Sequence, residues 1–196
     1  MRDSFIFLAE GFEEIEALTV VDLLRRAGIP VKTVSITTAM QVTGAHGVTV
    51  KADLIFDNTL FKDAEWLILP GGMPGATNLY EFDPLHGLLK SQLESSRGRV
   101  AAICAAPAVV LGQLGLLRNE KATCYPGFEG MIEGAEIVDA PVVVSGRFVL
   151  GNGPANAMAW ALTIISETLS SQDALKVANG LLLYPRDNKE VDHFFG

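Results

Sequence analysis

Cys104 stands inside VAAICAAPAVVLGQLG, residues 100–115, where an apolar strand pattern gives way to a helical one. A side chain presented on a sharp strand-to-helix turn needs small residues two places away on each side, because the backbone folds back on itself. Ala102 and Ala106 occupy those places, which is the spatial logic of a nucleophile elbow with sulfur in place of a serine oxygen. The helix that follows would aim its N-terminal N–H groups and positive dipole end at the sulfur, favouring thiolate. Pro107 suits the first helical turn, where its missing N–H costs nothing. The same stretch also fits a buried structural thiol, since free cysteine is among the most buried residue types. Both readings stand on this stretch alone.

Two other turns have the composition to face Cys104. AEGFEEIEA, residues 9–17, carries three carboxylates into a helix, and PGGMPGA, residues 70–76, is a glycine-rich turn after an apolar run. The elements that would bring them together are legible. SFIFLA (4–9) reads as a buried strand, followed by an amphipathic helix from Glu14 to Ala27 that Gly28 stops. VKTVSI (31–36), WLILPGG (66–72) and RVAAI (99–103) are further strands. Residues 40–53, around Gly44 and Gly47, and residues 140–153, with Ser145-Gly146 at the turn, read as hairpins. Helices are expected at 83–95, 107–117, 155–169 and 172–183, the last capped by Ser170 with Asp173. Strands alternating with helices give an α/β class with a mostly parallel sheet covered on both faces. Sites in such sheets form at the carboxyl ends of strands, where all three turns fall.

Composition narrows the function. The 196 residues are expected to form one domain, with no stretch reading as a linker. Charged residues make up 19% and mean hydropathy is +0.30, which implies much burial. No apolar run reaches the roughly 18 residues of a membrane span, and acidic residues arrive too soon after Met1 for a signal peptide. A net charge of −8 argues against nucleic acid, which is held by clustered Lys and Arg. Two cysteines make no disulfide framework, which fits a reducing, cytoplasmic compartment. The histidines His46, His86 and His193 have no metal-like spacing with cysteine, so no metal is expected and each reads as a surface or loop residue.

AAICAAP, with upstream LPGG and the opening GFEEIEA, resembles the ThiJ/PfpI superfamily, in the branch of the Parkinsonism-associated deglycase and its bacterial relatives. The resemblance runs from residue 4 to 183 and includes LLRRAGI (23–29) and GNGPANAMAWAL (151–162). It implies a flavodoxin-like three-layer α/β/α sandwich, a homodimer, and no cofactor. By the same resemblance Cys104 matches the reactive cysteine and Glu16 the carboxylic acid that hydrogen-bonds its sulfur. Gly72 and Ala105 fall where backbone N–H groups would form an oxyanion pocket, with Gly71, Tyr125 and His46 beside the substrate. The tail, residues 186–196, with Phe194 and Phe195 at its end, is atypical of these relatives.

Elementary chemistry agrees with the pairing. A thiol with pKa about 8.5 is only a few per cent thiolate at neutral pH and needs local help. A buried Glu can hold a proton and donate it to the thiolate, the two groups titrating as a pair. Glu13 and Glu14 would instead solvate the helix N-terminus, where negative charge is favourable; without the resemblance, a solvated helix face would also describe Glu16.

Two departures redirect the function. Ala105 stands where the protease-like branch places a histidine after the cysteine, so peptidase chemistry is the weaker reading. Tyr125, in TCYPGFEG (123–130), stands where the deglycase branch commonly has a histidine, leaving Glu16 as the main proton carrier. Cys124 reads as a semi-buried spectator. The expectation is glyoxalase- or deglycase-like chemistry on small aldehydes or their protein adducts. The alternative is an oxidative-stress sensor or chaperone acting through oxidation of Cys104. Nothing in these residues supports kinase chemistry of the kind thiazole monophosphate biosynthesis would need.

Overall fold

A computed structural model describes residues 1–183; His193 and the tail at 186–196 lie outside the described residues. The chain runs β1 (Ser4–Leu8), α1 (Glu14–Arg26), β2 (Val31–Ser35), the hairpin β3 (Gln41–Thr43) and β4 (Thr49–Lys51), and β5 (Leu54–Ile55). It continues through β6 (Trp66–Leu69), α2 (Gly75–Glu81), α3 (Asp83–Glu94) and β7 (Arg99–Ile103). The short pair β8 (Lys121–Ala122) and β9 (Glu136–Ile137) precedes β10 (Val142–Ser145), β11 (Phe148–Gly151), α4 (Ala157–Thr168) and α5 (Ser171–Gly180).

The main sheet has the order β10-β11-β7-β6-β1-β2-β5, parallel throughout except for β10 against β11. Alternate residues of its strands point to opposite faces, and both faces are dry. Ile6 and Leu8 join Ile68, Ala101 and Ile103 beneath α1, α4 and α5, whereas Phe5 and Phe7 join Leu67, Leu69, Val100 and Ala102 beneath α2 and α3. Burial on both sides is why these strands read as unbroken apolar runs. This is the expected mostly parallel α/β sandwich. Because β2 lies on one side of β1 and β6 on the other, chain direction across the sheet reverses at β1, the point in such sheets outside whose carboxyl ends sites form.

Some expectations fail locally. The helix expected over 107–117 is a π-helix from Pro107 to Gly112, followed by turns. Its cause lies in Gln113, whose side-chain Nε2 donates to the Val109 carbonyl at 2.7 Å. That carbonyl is the α-helical acceptor for the Gln113 backbone N–H, which reaches back to Ala108 instead, at 3.2 Å. The helix α2 hides in sequence behind the Pro and Gly signals of residues 70–76, and β5, β8 and β9 are too short to show a period. Ser170 and Asp173 do cap α5, the hydroxyl accepting from the Asp173 N–H at 3.2 Å. Among the described residues no helix is long and apolar enough to cross a membrane.

The layer of α4 is anchored by Trp160, which is fully buried and donates its indole N–H to the Val149 carbonyl at 3.0 Å. Replacing Trp160 with Ala opens a cavity and strands that carbonyl. Urea unfolding is expected to show a loss of about 3–5 kcal/mol, the usual scale for a buried aromatic truncated to Ala.

Candidate active site

The three turns singled out by composition meet at the carboxyl ends of β1, β6 and β7, which are adjacent in the sheet. Cys104 follows the last residue of β7 with a backbone φ of +63°, a conformation that non-glycine residues rarely adopt. It is held there from both sides: its N–H donates to the Gly151 carbonyl at 2.9 Å, and its carbonyl accepts from the Tyr125 N–H at 2.8 Å. Ala102 and Ala106 are fully buried where the elbow needs small residues. The residue is buried, keeping 8% of its surface exposed. The backbone N–H groups of Gly72 and Ala105 face its sulfur and favour the thiolate form.

The glycine turn after β6 allows this approach. A side chain on Gly71 would place its Cβ 2.7 Å from the Cys104 Cβ and 2.9 Å from Glu16 Oε2. Gly72 has φ +87°, and a Cβ there would lie 2.4 Å from the Glu13 nitrogen. Gly71 and Gly72 therefore lie beside Cys104, although Gly71 spends its own N–H elsewhere. It donates at 2.7 Å to Oε2 of Glu16, which α1 carries into the core beneath the turn. Glu16 is wholly buried, its Oε1 has no hydrogen-bond partner among the described residues, and the Cys104 thiol is its neighbour.

The other carboxylates differ from expectation. Glu13 is the N-cap of α1, accepting from the Ile15 N–H at 3.4 Å, but it is buried rather than solvated. Glu14 is also buried and braces the β3–β4 hairpin, accepting from the His46 N–H at 2.8 Å and the Val48 N–H at 3.3 Å. Its carboxylate lies 2.8 Å from His46 Nδ1 as well, and these bonds hold it below the usual carboxylate range despite its burial. His46, 70% exposed, is raised by Glu14 and Glu13 and makes no hydrogen bond to Cys104, Glu16 or Tyr125 among the described residues. Sequence reasoning missed the Glu14–His46 clamp because its members lie 32 residues apart. It also missed Gly151, whose carbonyl fixes the elbow.

Tyr125 lies at the mouth, 45% exposed, its ring edge-on to Phe128 and 3.7 Å from where a Cβ on Gly153 would stand. Cys124 is buried among the side chains on the opposite face of the sheet from the cluster that includes Cys104. Burial and the Glu129 charge push its thiol up to about 11. His86 gives its Nε2 to the Tyr80 carbonyl, well away from the elbow.

A model of the DJ-1/PfpI family matches residues 4–167. The chain belongs to that family. The DJ-1 homolog B of Arabidopsis thaliana is 35% identical over 185 residues, covering 93% of this chain and 42% of the plant protein. This chain thus spans less than half the length of that relative. A deglycase of Pyrococcus horikoshii is 35% identical over 78% of this chain and 90% of its own length. A glutathione-independent glyoxalase of Caenorhabditis elegans is 36% identical over 84% of this chain and 86% of its own. Among solved structures, oxidized DJ-1 of Toxoplasma gondii superposes with a TM-score of 0.87 at 35% identity, covering 93% of this chain and 98% of that one. The DJ-1 flavodoxin-like fold is shared.

Within this DJ-1/PfpI chain the electrostatics of the pair correct one expectation. The helix end and Glu16 were to favour thiolate outright. Instead, burial and then the negative charge of Glu16 push the Cys104 thiol up to about 12, against the opposing pull of the Gly72 and Ala105 N–H groups. Burial also raises Glu16 from its ordinary 4.5 to about 7, with the Gly71 and Cys104 hydrogen bonds pulling the other way. Two anions cannot share this dry space, so a thiolate forms only with the proton on Glu16.

The consequence for stability has a definite sign. A carboxyl raised in the folded state binds its proton more tightly there than in the unfolded chain. Its stabilisation is complete below 4.5 and is lost as pH rises through about 7. Glu16→Gln cannot titrate. Urea midpoints measured from pH 4.5 to 8 should fall for the parent relative to this variant; parallel curves would mean that Glu16 titrates normally.

Proposed function

We propose that this chain is a cysteine-dependent enzyme of carbonyl chemistry, acting on small reactive aldehydes or their adducts on proteins, with Cys104 as nucleophile and Glu16 as proton carrier. The observation that carries this reading is the pairing of a strained, barely exposed thiol with a buried carboxyl raised to about 7. The deglycase and glyoxalase names of relatives at 35% and 36% identity support it at the level of the reaction class.

For a 2-oxoaldehyde such as methylglyoxal, the Cys104 thiolate adds to the aldehyde carbon and breaks the carbonyl π bond. The N–H groups of Gly72 and Ala105, which lie beside the sulfur, then face an alkoxide one bond further out. The alkoxide takes the proton from Glu16, giving a neutral hemithioacetal and a carboxylate. That carboxylate removes the hydrogen on the former aldehyde carbon as a proton and passes it to the adjacent carbonyl oxygen, giving an enediol. It then takes the proton of the first hydroxyl and delivers it to the adjacent carbon as the C=O of the thioester forms. The product is a 2-hydroxyacyl thioester. Water hydrolyses it, releasing the hydroxy acid and restoring the thiol. In a glycated adduct the same addition would end in release of an amine. The scheme draws on no cofactor.

Tyr125 and Gly71 would flank the substrate, with His46 at greater distance on its clamped hairpin. Peptidase chemistry is disfavoured because no histidine hydrogen-bonds Cys104 among the described residues. Redox sensing is a second reading that one feature favours: the two N–H groups at the sulfur would equally hold a sulfinate. The reading includes a homodimer in the cytoplasm. Helix α1 leaves Ile15 and Leu18 exposed three residues apart beside Val48, an apolar strip that a second copy would cover.

Incubation with methylglyoxal, following lactate, tests the enzyme reading. Cys104→Ala should abolish turnover and Glu16→Gln should lower it by about a hundredfold, the scale of lost general acid–base catalysis. Lactate formation that survives Cys104→Ala, or its absence in the parent protein, would remove the assignment.

A further inference from the structure

The carboxyl ends of the strands are not the only place where chemically active side chains gather. At the opposite, amino ends of β1, β7 and β11 lies a cleft of about 460 Å³ lined by Arg2, Arg97, Arg99, Arg147 and Glu65. Four of the chain's eight arginines converge there from three segments, in a protein whose net charge is −8. Since β7 runs from Arg99 to Ile103, the cleft is about 16 Å from Cys104 at roughly 3.3 Å per strand residue, too far to be a subsite of the thiol.

The internal partners of these arginines leave charge unspent. Glu65 is shared: Arg2 donates to one oxygen at 3.0 Å and Arg99 to the other at 2.7 Å. Arg99 also lies 4.8 Å over the Trp66 ring, which fixes its plane. Asp63 takes Arg2 at 3.0 Å and Arg97 at 3.7 Å. Four guanidinium groups thus face two carboxylates, leaving an excess of two positive charges. Arg147 meets no carboxylate among the described residues; only its Nη1 is engaged, by the carbonyls of Leu93 and Ser95 at the end of α3. Arg97 is 70% exposed and has no short ion pair among the described residues. Two planar forks with uncommitted donors therefore border one recess whose floor charges are already neutralised.

We propose that this cleft binds a small phosphate-bearing anion, Arg97 and Arg147 donating to its oxygens. The guanidinium fork matches phosphate geometry bidentately, and two forks with an excess of two charges complement a dianion. The volume suits a phosphorylated small molecule, since ligand pockets run from about 300 to 1,000 Å³. A nucleic acid is the poorer match: its binding relies on a basic stripe, whereas these arginines are gathered in one cleft of an acidic chain.

Inorganic phosphate and pyrophosphate are the probes, titrated calorimetrically into the full chain at low salt. Saturable binding with one site per chain is expected, weakened about fivefold or more by Arg97→Ala and partly restored by Arg97→Lys, because Lys keeps the charge and loses the fork. Arg97 is exposed, so its truncation leaves the fold intact, and amide shifts should fall at Ser96–Arg99. No saturable heat, or equal affinity in Arg97→Ala, overturns the proposal. So do shifts that leave Ser96–Arg99 unmoved. None of these readouts depends on carbonyl turnover, so the cleft and the thiol chemistry succeed or fail separately.

Discussion

A carboxyl and a thiol occupy one water-poor space, and it tolerates one negative charge at most. The rest of the site follows from that constraint. Glu16 is wholly buried and among the described residues receives a single backbone N–H, from Gly71, so its charge is poorly compensated and its proton is held toward neutrality. Cys104 is raised by the same burial and by that carboxylate. Each group therefore governs the other. A proton on Glu16 permits a thiolate, and a proton on sulfur permits a carboxylate. The two arrangements differ by one proton moved between neighbours, which is the property a thiol nucleophile needs if it must also transfer protons.

The fold exists around that pair in a literal sense. Three parallel strands, β6, β1 and β7, are ordered so that their carboxyl-end turns converge, although they come from three distant parts of the chain. Each turn contributes something the others cannot. The loop after β1 enters α1 and delivers Glu16; the turn after β6 has no side chains where the thiol and carboxyl approach; the turn after β7 holds Cys104 at positive φ. Strain at Cys104 persists because its N–H and carbonyl are both tied down, to Gly151 and Tyr125. Glu14 extends the same economy outward, pinning the β3–β4 hairpin through His46 and Val48.

Much of this is legible in the residues. Unbroken apolar strands, the glycine turn at 70–76 and the alanines around Cys104 carry the sheet, the elbow and their proximity. What stays hidden is set by tertiary electrostatics and by local competition for carbonyls. Nothing in EEIE distinguishes a buried Glu14 from a solvated one, because its partners arrive from a hairpin more than thirty residues away. The π-helix depends on one Gln113 side chain taking one carbonyl, which no hydrophobic period reveals. The thiol's upward push also escapes a sequence reading: the small residues of the elbow are visible in the pattern, whereas the desolvation of the sulfur is not.

The central claim is that Glu16 keeps its proton near neutrality on account of its burial beside Cys104. A carbon-13 NMR titration of the glutamate carboxyl carbons, with Glu16 assigned by its loss in Glu16→Gln, reads that proton directly. The account predicts a midpoint of about 7 for Glu16. A midpoint at the ordinary 4.5 would show a carboxylate already ionised beside the thiol at neutral pH, and would contradict the shared proton on which the site is built.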